Sequence, residues 1–215
     1  MATPPHYAAL SALELALLQL KEERNWAAYE ALRKRDREEV FEAAVQLLRS
    51  PSARERALGA DLLVQATGYD EEARLVRGAR SADVLLAAIP TEPDASVLRA
   101  MGHTLGYLAD ARAVPVLRAL KDHPDSRVRL GVASGLSQHQ DAVALQTLIE
   151  LSRDTDASVR EEAISALSLK DEDAVDSPEL REAFLDRLSD EVTDIRTDAL
   201  VGLARRKDPR VREPL

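Results

Sequence analysis

The sequence predicts an all-α protein, a stacked α-solenoid of about five helical-hairpin repeats behind a diverged N-terminal capping unit. Three observations predict it. Asp94-Ala-Ser-Val97 recurs as Asp125-Ser-Arg-Val128-Arg129 and again as Asp156-Ala-Ser-Val159-Arg160, with the valines 31 residues apart both times. Behind each valine, apolar residues follow at helical spacing: Met101 and Leu105; Val132, Ala133 and Leu136; Ala163, Ile164 and Leu167. An aspartate 13 residues past the valine, Asp110 or Asp141, then opens a second apolar stripe. That stripe is Val114, Leu117 and Leu120 in one copy and Leu145, Leu148 and Leu151 in the next. A fixed period of about 30 residues with two helical patterns in each means repeats that bury their apolar faces on one another.

Taken in order, residues 4–22 read as a first helix, with Thr3 as cap, Pro4 at the first helical position and Leu10, Leu13, Leu17 and Leu20 as its stripe. Helices over about 25–34 and 37–48 follow, separated by Arg33-Lys34-Arg35-Asp36. They lack the repeated signature, so residues 1–50 are read as the atypical cap that an array needs and 51–215 as one repeat array with an incomplete last unit. Trp26 and Tyr29, in this cap, are expected to be packing residues, with ligand stacking as the lesser alternative. Ser50-Pro51 starts the array, with Ser50 as N-cap and Ala53-Arg54 where later units carry Val-Arg. Gly68 is expected to close that helix, Tyr69 to Ser81 to form a polar irregular connection, and 82–89 a short helix ended by Pro90 and Pro93. Regular units span 94–121 and 125–152. The next one starts at Asp156 and reaches its following anchor, Ile195-Arg196, after 36 residues, the extra length falling in the loop 170–176. Ser177-Pro178-Glu179 restarts a helix, and 194–206 is the last helix expected before the opening Asp208-Pro209-Arg210-Val211.

The Asp-x-x-Val-Arg segments, the Ala- and Leu-rich helices behind them, and Asp110-Ala-Arg112-Ala-Val114-Pro115-Val-Leu117 resemble HEAT repeats. More narrowly, they are similar to the short HEAT-like repeats also found in phycobilin lyases. The resemblance is close from about Pro51 onward. It implies a right-handed superhelix of the armadillo/HEAT kind, serving mostly as a binding scaffold and in fewer cases as an enzyme. The enzymes it admits are a bilin lyase-like protein and a HEAT-type DNA glycosylase.

Composition narrows the function. Apolar residues are 45% and aromatics 3%, so the core is aliphatic, and with no cysteine there is neither a disulfide nor a thiolate metal site. No apolar run approaches the roughly 20 residues of a membrane span, and the N-terminus does not read as a signal peptide; a cytoplasmic protein is expected. Net charge is −9, and the segment 154–198 holds 15 acidic against 5 basic residues, which is the whole excess. That is the opposite of a nucleic-acid-binding face, and a glycosylase would further need aromatics to hold an extruded base. His6, His103, His123 and His139 never fall in a metal-ligand spacing, and there is no His-Glu dipeptide, which excludes the iron-binding HEAT-like hydroxylases. The run Asp171-Glu172-Asp173-Ala174-Val175-Asp176 mimics the start of a calcium loop, but Val175 replaces an oxygen ligand and Asp176 the required glycine. No catalytic group, cofactor or metal is expected.

The repeated Asp and Arg read as structural: Asp94, Asp125 and Asp156 as helix caps, and Arg129, Arg160 and Arg196 as partners of carboxylates in adjacent units. The glycines fall inside or at the ends of helices, and Gly102, Gly106, Gly131 and Gly135 are expected to permit close helix contact. The second helices of successive units are expected to line the binding side. With Leu117 buried, a step of about 100° per residue turns Arg112, Pro115 and Ala119 outward. The same arithmetic exposes Gln146, Glu150 and Arg153, then Glu179, Glu182 and Asp186. A protein or peptide partner is expected on Arg112, Gln146, Glu150, Arg153, Glu179, Glu182 and Asp186, in a groove that turns acidic toward its C-terminal end. The last helix carries Ile195, Ala199, Leu200 and Leu203, part of which is expected to stay open. Arg205, Arg206, Lys207, Arg210 and Arg212 would ring that strip. Either a longer natural chain beyond Leu215 or self-association through this end follows from that reading.

Overall fold

The computed structural model describes residues 5–21, 25–67, 71–170 and 175–211, the side chains of 5, 6 and 71–74 excepted. Among these residues all regular structure is helical. The α-helices are α1 (Ala12–Lys21), α2 (Trp26–Arg33), α3 (Arg37–Leu48), α4 (Ala53–Thr67), α5 (Glu71–Ala88), α6 (Ala95–Leu108), α7 (Ala113–Arg118), α8 (Ser126–Leu136), α9 (Ala142–Leu151), α10 (Ala157–Ser168), α11 (Pro178–Arg187) and α12 (Thr193–Arg205). Short 3-10 turns occupy Pro5–Ala9, Ile89–Thr91 and Pro209–Val211. The chain forms two compact units, Met1–Asp110 and Ala111–Leu215.

In the first unit α3 lies along α4, α4 packs on α5 and α6, and α1 packs on α2 and α3. Leu15, Leu32, Leu62, Leu63, Leu85 and Leu105 are fully buried there. In the second unit α8, α10 and α12 lie side by side as one row, and α7, α9 and α11 as another. Leu117, Leu136, Leu148, Ile164 and Phe184 fill the space within and between those rows. The cores are built from small and aliphatic side chains, as a composition with 3% aromatics requires.

The caps explain why helices start where they do. Asp94 accepts from the amides of Ser96 and Val97, Asp125 from Arg127, and Asp156 from Ser158. Asp141 does the same for α9, Asp36 for α3 and Ser177 for α11. Each takes up an amide that the first turn leaves unpaired, worth about 0.5–2 kcal/mol.

The repeated arginine does more than pair with an acid. Arg129 Nη1 donates to the carbonyls of His123 (2.8 Å) and Pro124 (3.1 Å), in the turn before its own helix. Its Nε and Nη2 fork onto Asp154, in the turn before α10, at 2.6 and 2.7 Å. Asp154 in turn accepts the amide of Asp156 at 2.8 Å. Arg160 repeats the pattern with the carbonyls of Asp154 and Thr155 and the carboxylate of Asp190 at 2.8 and 3.0 Å. Asp190 accepts from Val192. In the first unit Arg56 repeats it again, with the carbonyls of Ser50 and Pro51 and a fork onto Glu92 at 2.8 Å. Arg196 bonds the carbonyls of Asp190 and Glu191 and the hydroxyl of Thr193. Burial is the largest single influence on Asp154 and Glu92 and pushes both up, but the guanidinium fork and the accepted backbone amide together hold both carboxyls below their ordinary values. At Asp190 the Arg160 fork is itself the largest influence, again downward.

Several boundaries differ from expectation. The helix expected over 4–22 is two pieces, because Ser11 restarts it: the Ser11 amide donates to Glu14 Oε2 (2.7 Å) and the Glu14 amide to Ser11 Oγ (3.3 Å), a capping box. Arg35 ties the preceding turn down by donating to the carbonyls of Tyr7, Ala8 and Leu10. Helix α4 starts at Ala53, later than expected, because Ser52 rather than Ser50 serves its first turn, accepting from the Glu55 amide at 3.4 Å. The arginine in register with Arg129 is therefore Arg56, and Arg54 is exposed. The stretch 71–81 is helix, not an irregular connection: α5 runs 18 residues and buries Gly78, Ser81, Ala82 and Leu85, with Ile89 buried in the turn that follows. Among the described side chains that face has helical spacing but opens on the small residues Gly78, Ser81 and Ala82. Thr3, Pro4, Gly68, the acidic residues 171–173 and Arg212 to Leu215 lie outside the described residues.

At the C-terminal end, Ile195, Ala199 and Leu203 are fully buried while Leu200 and Val201 are exposed. Of the basic residues expected to ring this strip, Arg205, Lys207 and Arg210 are exposed and Arg206 is not. Arg206 is buried, donates to the carbonyls of Val175 and Gly202, and lies 5.3 Å from the Phe184 ring centroid. Arg205 bonds the carbonyl of Ser168, and Arg210 pairs with Asp208 and Glu182.

Two glycines separate packing from propensity. A Cβ on Gly59 would lie 2.8 Å from both the Ala44 oxygen and the Leu48 nitrogen, so α3 and α4 meet backbone to backbone there. A Cβ on Gly78 would meet only Leu108 Cδ2, at 3.8 Å. Gly59→Ala is expected to cost about 1–3 kcal/mol by overpacking, and Gly78→Ala to gain up to about 1 kcal/mol of helix propensity. Thermal melts of the two variants should move in opposite directions; shifts of the same sign would contradict the α3–α4 contact.

Candidate protein-binding surface

The second-row helices of the Ala111–Leu215 unit each turn one stripe inward. Helix α7 buries Ala113, Val114 and Leu117; α9 buries Ala144, Thr147, Leu148 and Leu151; α11 buries Leu180, Ala183 and Phe184. The helical period then dictates what faces out. Arg112, Pro115 and Ala119 are exposed around α7, Gln146 and Arg153 on and after α9, and Glu179, Glu182 and Asp186 on α11; Glu150 is half-buried. Because α9 lies against both α7 and α11, these side chains form adjoining rows.

The rows are braced to one another by polar contacts. Arg118 Nη1 donates to Thr147 Oγ1 at 3.3 Å, from α7 to α9. Lys121 Nζ lies 3.1 Å from Glu150 Oε2 and 2.9 Å from Asp122. Gln146 Nε2 donates to Glu150 Oε1 at 3.2 Å. Arg153 reaches Asp186 at 3.1 Å, from the turn after α9 to α11, and Arg210 reaches Glu182 at 2.6 Å. Asp122 and Glu150 together raise the Lys121 ammonium above its usual value. Glu150 is pushed up by burial, but Lys121 and Gln146 prevail and its carboxyl sits below the ordinary range.

Glu179 stands apart. It occupies the first turn of α11, where its own backbone amide and the Ser177 hydroxyl hold its carboxyl low, and among the described residues no cation pairs with it. The acid count of the sequence therefore overstates the free negative charge of this face: Glu150, Glu182 and Asp186 each carry a cationic partner. A signal for two of these pairs is present in the sequence, since Lys121 and Glu150, like Arg153 and Asp186, stand about one period apart. What it lacks is the distance between helices, which only the stacking provides.

Other candidates have structural partners. His123 Nδ1 accepts the Asp125 amide at 3.1 Å, within the turn before α8. Asp176, at the end of the calcium-like run, is bound by Arg181 at 2.6 Å. Among the described residues no group of three or more His, Cys, Asp or Glu is placed to hold a metal ion, and no helix is long and apolar enough to cross a membrane.

Residues 82–168 match the family model of HEAT repeats. Among solved structures, the chain is similar to YibA of Escherichia coli, with 20% identity and a TM-score of 0.70 over 96% of this chain and 74% of that one. It is also similar to designed armadillo-repeat proteins. One matches with 14% identity and a TM-score of 0.54, covering 91% of this chain and 99% of that one. Another, solved in complex with the peptide (KR)4, matches with 16% identity and a TM-score of 0.56, again covering 91% and 99%. A comparison with curated proteins gave no match. Residues 82–168 are thus similar to HEAT repeats, and the chain has the armadillo/HEAT type of helical solenoid.

The register of α9 decides which side chains this surface offers. Leu148→Ala should cost about 2–5 kcal/mol through lost burial and the cavity left behind, whereas Gln146→Ala should stay within about 0.5 kcal/mol. Chemical denaturation of both variants checks it, and comparable losses from the two would rule out this register.

Proposed function

We propose that this protein is a non-enzymatic scaffold that binds a protein or peptide segment along the outward rows of α7, α9 and α11. The fold supports the reading, since HEAT and armadillo arrays commonly serve as protein-interaction scaffolds. The observation that carries it is the row itself. Arg112, Gln146, Glu150, Arg153, Glu179, Glu182 and Asp186 come from successive second helices that pack on one another, and their polar ends form a braced surface over a buried core. Side chains already held by their neighbours lose little freedom when a partner arrives, which lowers the entropic cost of binding.

The partner class follows from charge. Glu179 offers an unpaired carboxylate, and Glu182 and Asp186 offer carboxylates whose present partners, Arg210 and Arg153, are exposed enough to be exchanged. A segment carrying Lys or Arg suits this end, and the designed armadillo-repeat protein that holds a (KR)4 peptide has the same type of fold. Exchange of one exposed ion pair for another is close to neutral, so the gain in affinity concentrates at Glu179, and charge complementarity acts mainly on the association rate.

A labelled (KR)4 peptide titrated into the whole protein at low and at physiological salt tests the reading. Saturable binding is expected, slowed in association about tenfold by Glu179→Lys with Glu182→Lys and weakened by salt. Binding that ignores both the charge reversals and the salt would remove the site from this face, and no binding at all would remove the basic segment as a partner.

A further inference from the structure

Contrary to the packing expected of it, Trp26 is 68% exposed, but the charges beside it, Arg33 and Glu30, neutralise one another at 3.3 Å. Helix α12 combines exposed apolar area with charges that are not matched in this way. It packs on α10 and α11, and Ile195, Ala199, Gly202 and Leu203 form its buried side. On the opposite side Leu200 is 48% and Val201 42% exposed. Thr193, Thr197 and Ala204 are exposed as well and extend that pair at helical spacing. The result is a strip without a charge, running over about three turns of helix. An exposed apolar strip rimmed by polar groups marks a contact surface.

The charges stand at the two ends of the strip. Asp194 and Arg205 are 11 residues apart, about three turns, so they share one flank at opposite ends. Both are exposed. Among the described residues no cation pairs with Asp194. Arg205 gives one N–H to the Ser168 carbonyl at 3.1 Å, and a guanidinium has five to offer. The other flank carries Arg196, which the carbonyls of Asp190 and Glu191 hold in its own turn. Two copies of such a strip match in one sense only. Laid parallel, like charges stand level with like. A two-fold axis across the helices reverses their direction and keeps the flank, so each Asp194 meets the other copy's Arg205. The uncharged strips then cover one another between the two pairs.

We propose that α12 pairs with α12 of a second copy of this chain, antiparallel about a two-fold axis, with Leu200 and Val201 at the centre and Asp194 of each copy against Arg205 of the other. A basic or an acidic peptide would satisfy one end of the strip and be repelled at the other; a second copy matches both. An isologous contact of this kind closes on itself and stops at a dimer. The apolar strip supplies most of the gain. The exposed charge pairs add little affinity and fix the direction of pairing. At about 20 Å in length the strip is short of a standard interface, so the dimer is weak and its population follows concentration. The contact uses none of the residues proposed as a binding surface on α7, α9 and α11.

Sedimentation of the whole protein over about three decades of concentration tests this. A monomer–dimer equilibrium is expected, with no larger species. Leu200→Glu is expected to remove the dimer, and Asp194→Lys and Arg205→Glu each to weaken it about tenfold, with thermal melts confirming that the variants fold. Mixing the two charge variants is the decisive arm. A heterodimer of Asp194→Lys with Arg205→Glu regains two opposite-charge contacts, so the mixture should associate about as well as the original chain. The chain carries a net charge of −9, so both variants stay acidic and general attraction between them cannot produce that result. The proposal is overturned by a monomer at every concentration, which would leave the strip to some other protein. A dimer that survives Leu200→Glu, or a mixture that associates no better than its components, overturns it equally. So does growth beyond dimers, which would mean a head-to-tail contact in place of a two-fold one.

Discussion

The arginine at the fourth position past a first-helix cap is the contact on which the stacking depends. A turn between helices leaves carbonyl groups with no partner, and a repeat must also fix its register on the next. Arg129 and Arg160 meet both needs with one planar group: Nη1 spans two carbonyls of the turn before its helix, and the Nε/Nη2 fork takes the carboxylate of the following repeat. Lysine could not, since it offers a point charge in place of a fork. The carboxylate is used twice as well, because it also receives an amide from its own turn. Desolvating such a pair is costly, so removing one partner, which strands the other charge, costs far more than the intact pair contributes. In the register of the latch, position 98 holds leucine and position 123 histidine, so the sequence omits the chemistry once.

The latch also explains what could be read from the sequence. The 31-residue period, the Asp caps and the inward stripes are local patterns, and each is satisfied within one helix or one turn. The outward positions on α7, α9 and α11 follow from the same arithmetic and stand exposed or half-buried in the structure. Pairings such as Arg160 with Asp190 or Arg153 with Asp186 depend on which turn the stacking brings near, and the sequence carries no distance between turns. Helix α5 escaped for a different reason. Its buried face opens with Gly78, Ser81 and Ala82, so it has helical periodicity of size rather than of hydrophobicity. The register of Arg56 was hidden by a cap shifted from Ser50 to Ser52, and the exposure of Trp26 by its aromatic character, which normally argues for burial.

Two surfaces of contrasting chemistry result. The face of α7, α9 and α11 is polar and cross-braced, with most of its acids engaged and Glu179 open. The corner on α2 presents Trp26 and Tyr29 edge to face beside the Arg33–Glu30 pair. An array built from buried stripes leaves its outward residues free to diverge from repeat to repeat.

The central claim is that the buried arginine–carboxylate forks couple successive repeats while the exposed pairs decorate them. A double-mutant cycle on Arg160 and Asp190, whose side chains are 9% and 3% exposed, set against a cycle on Arg153 and Asp186, at 47% and 46%, tests it most directly. Equilibrium unfolding of the single and double alanine variants should give a coupling of about 1–3 kcal/mol for the first pair and under about 0.5 kcal/mol for the second. Equal couplings, or none at Arg160–Asp190, would contradict the claim.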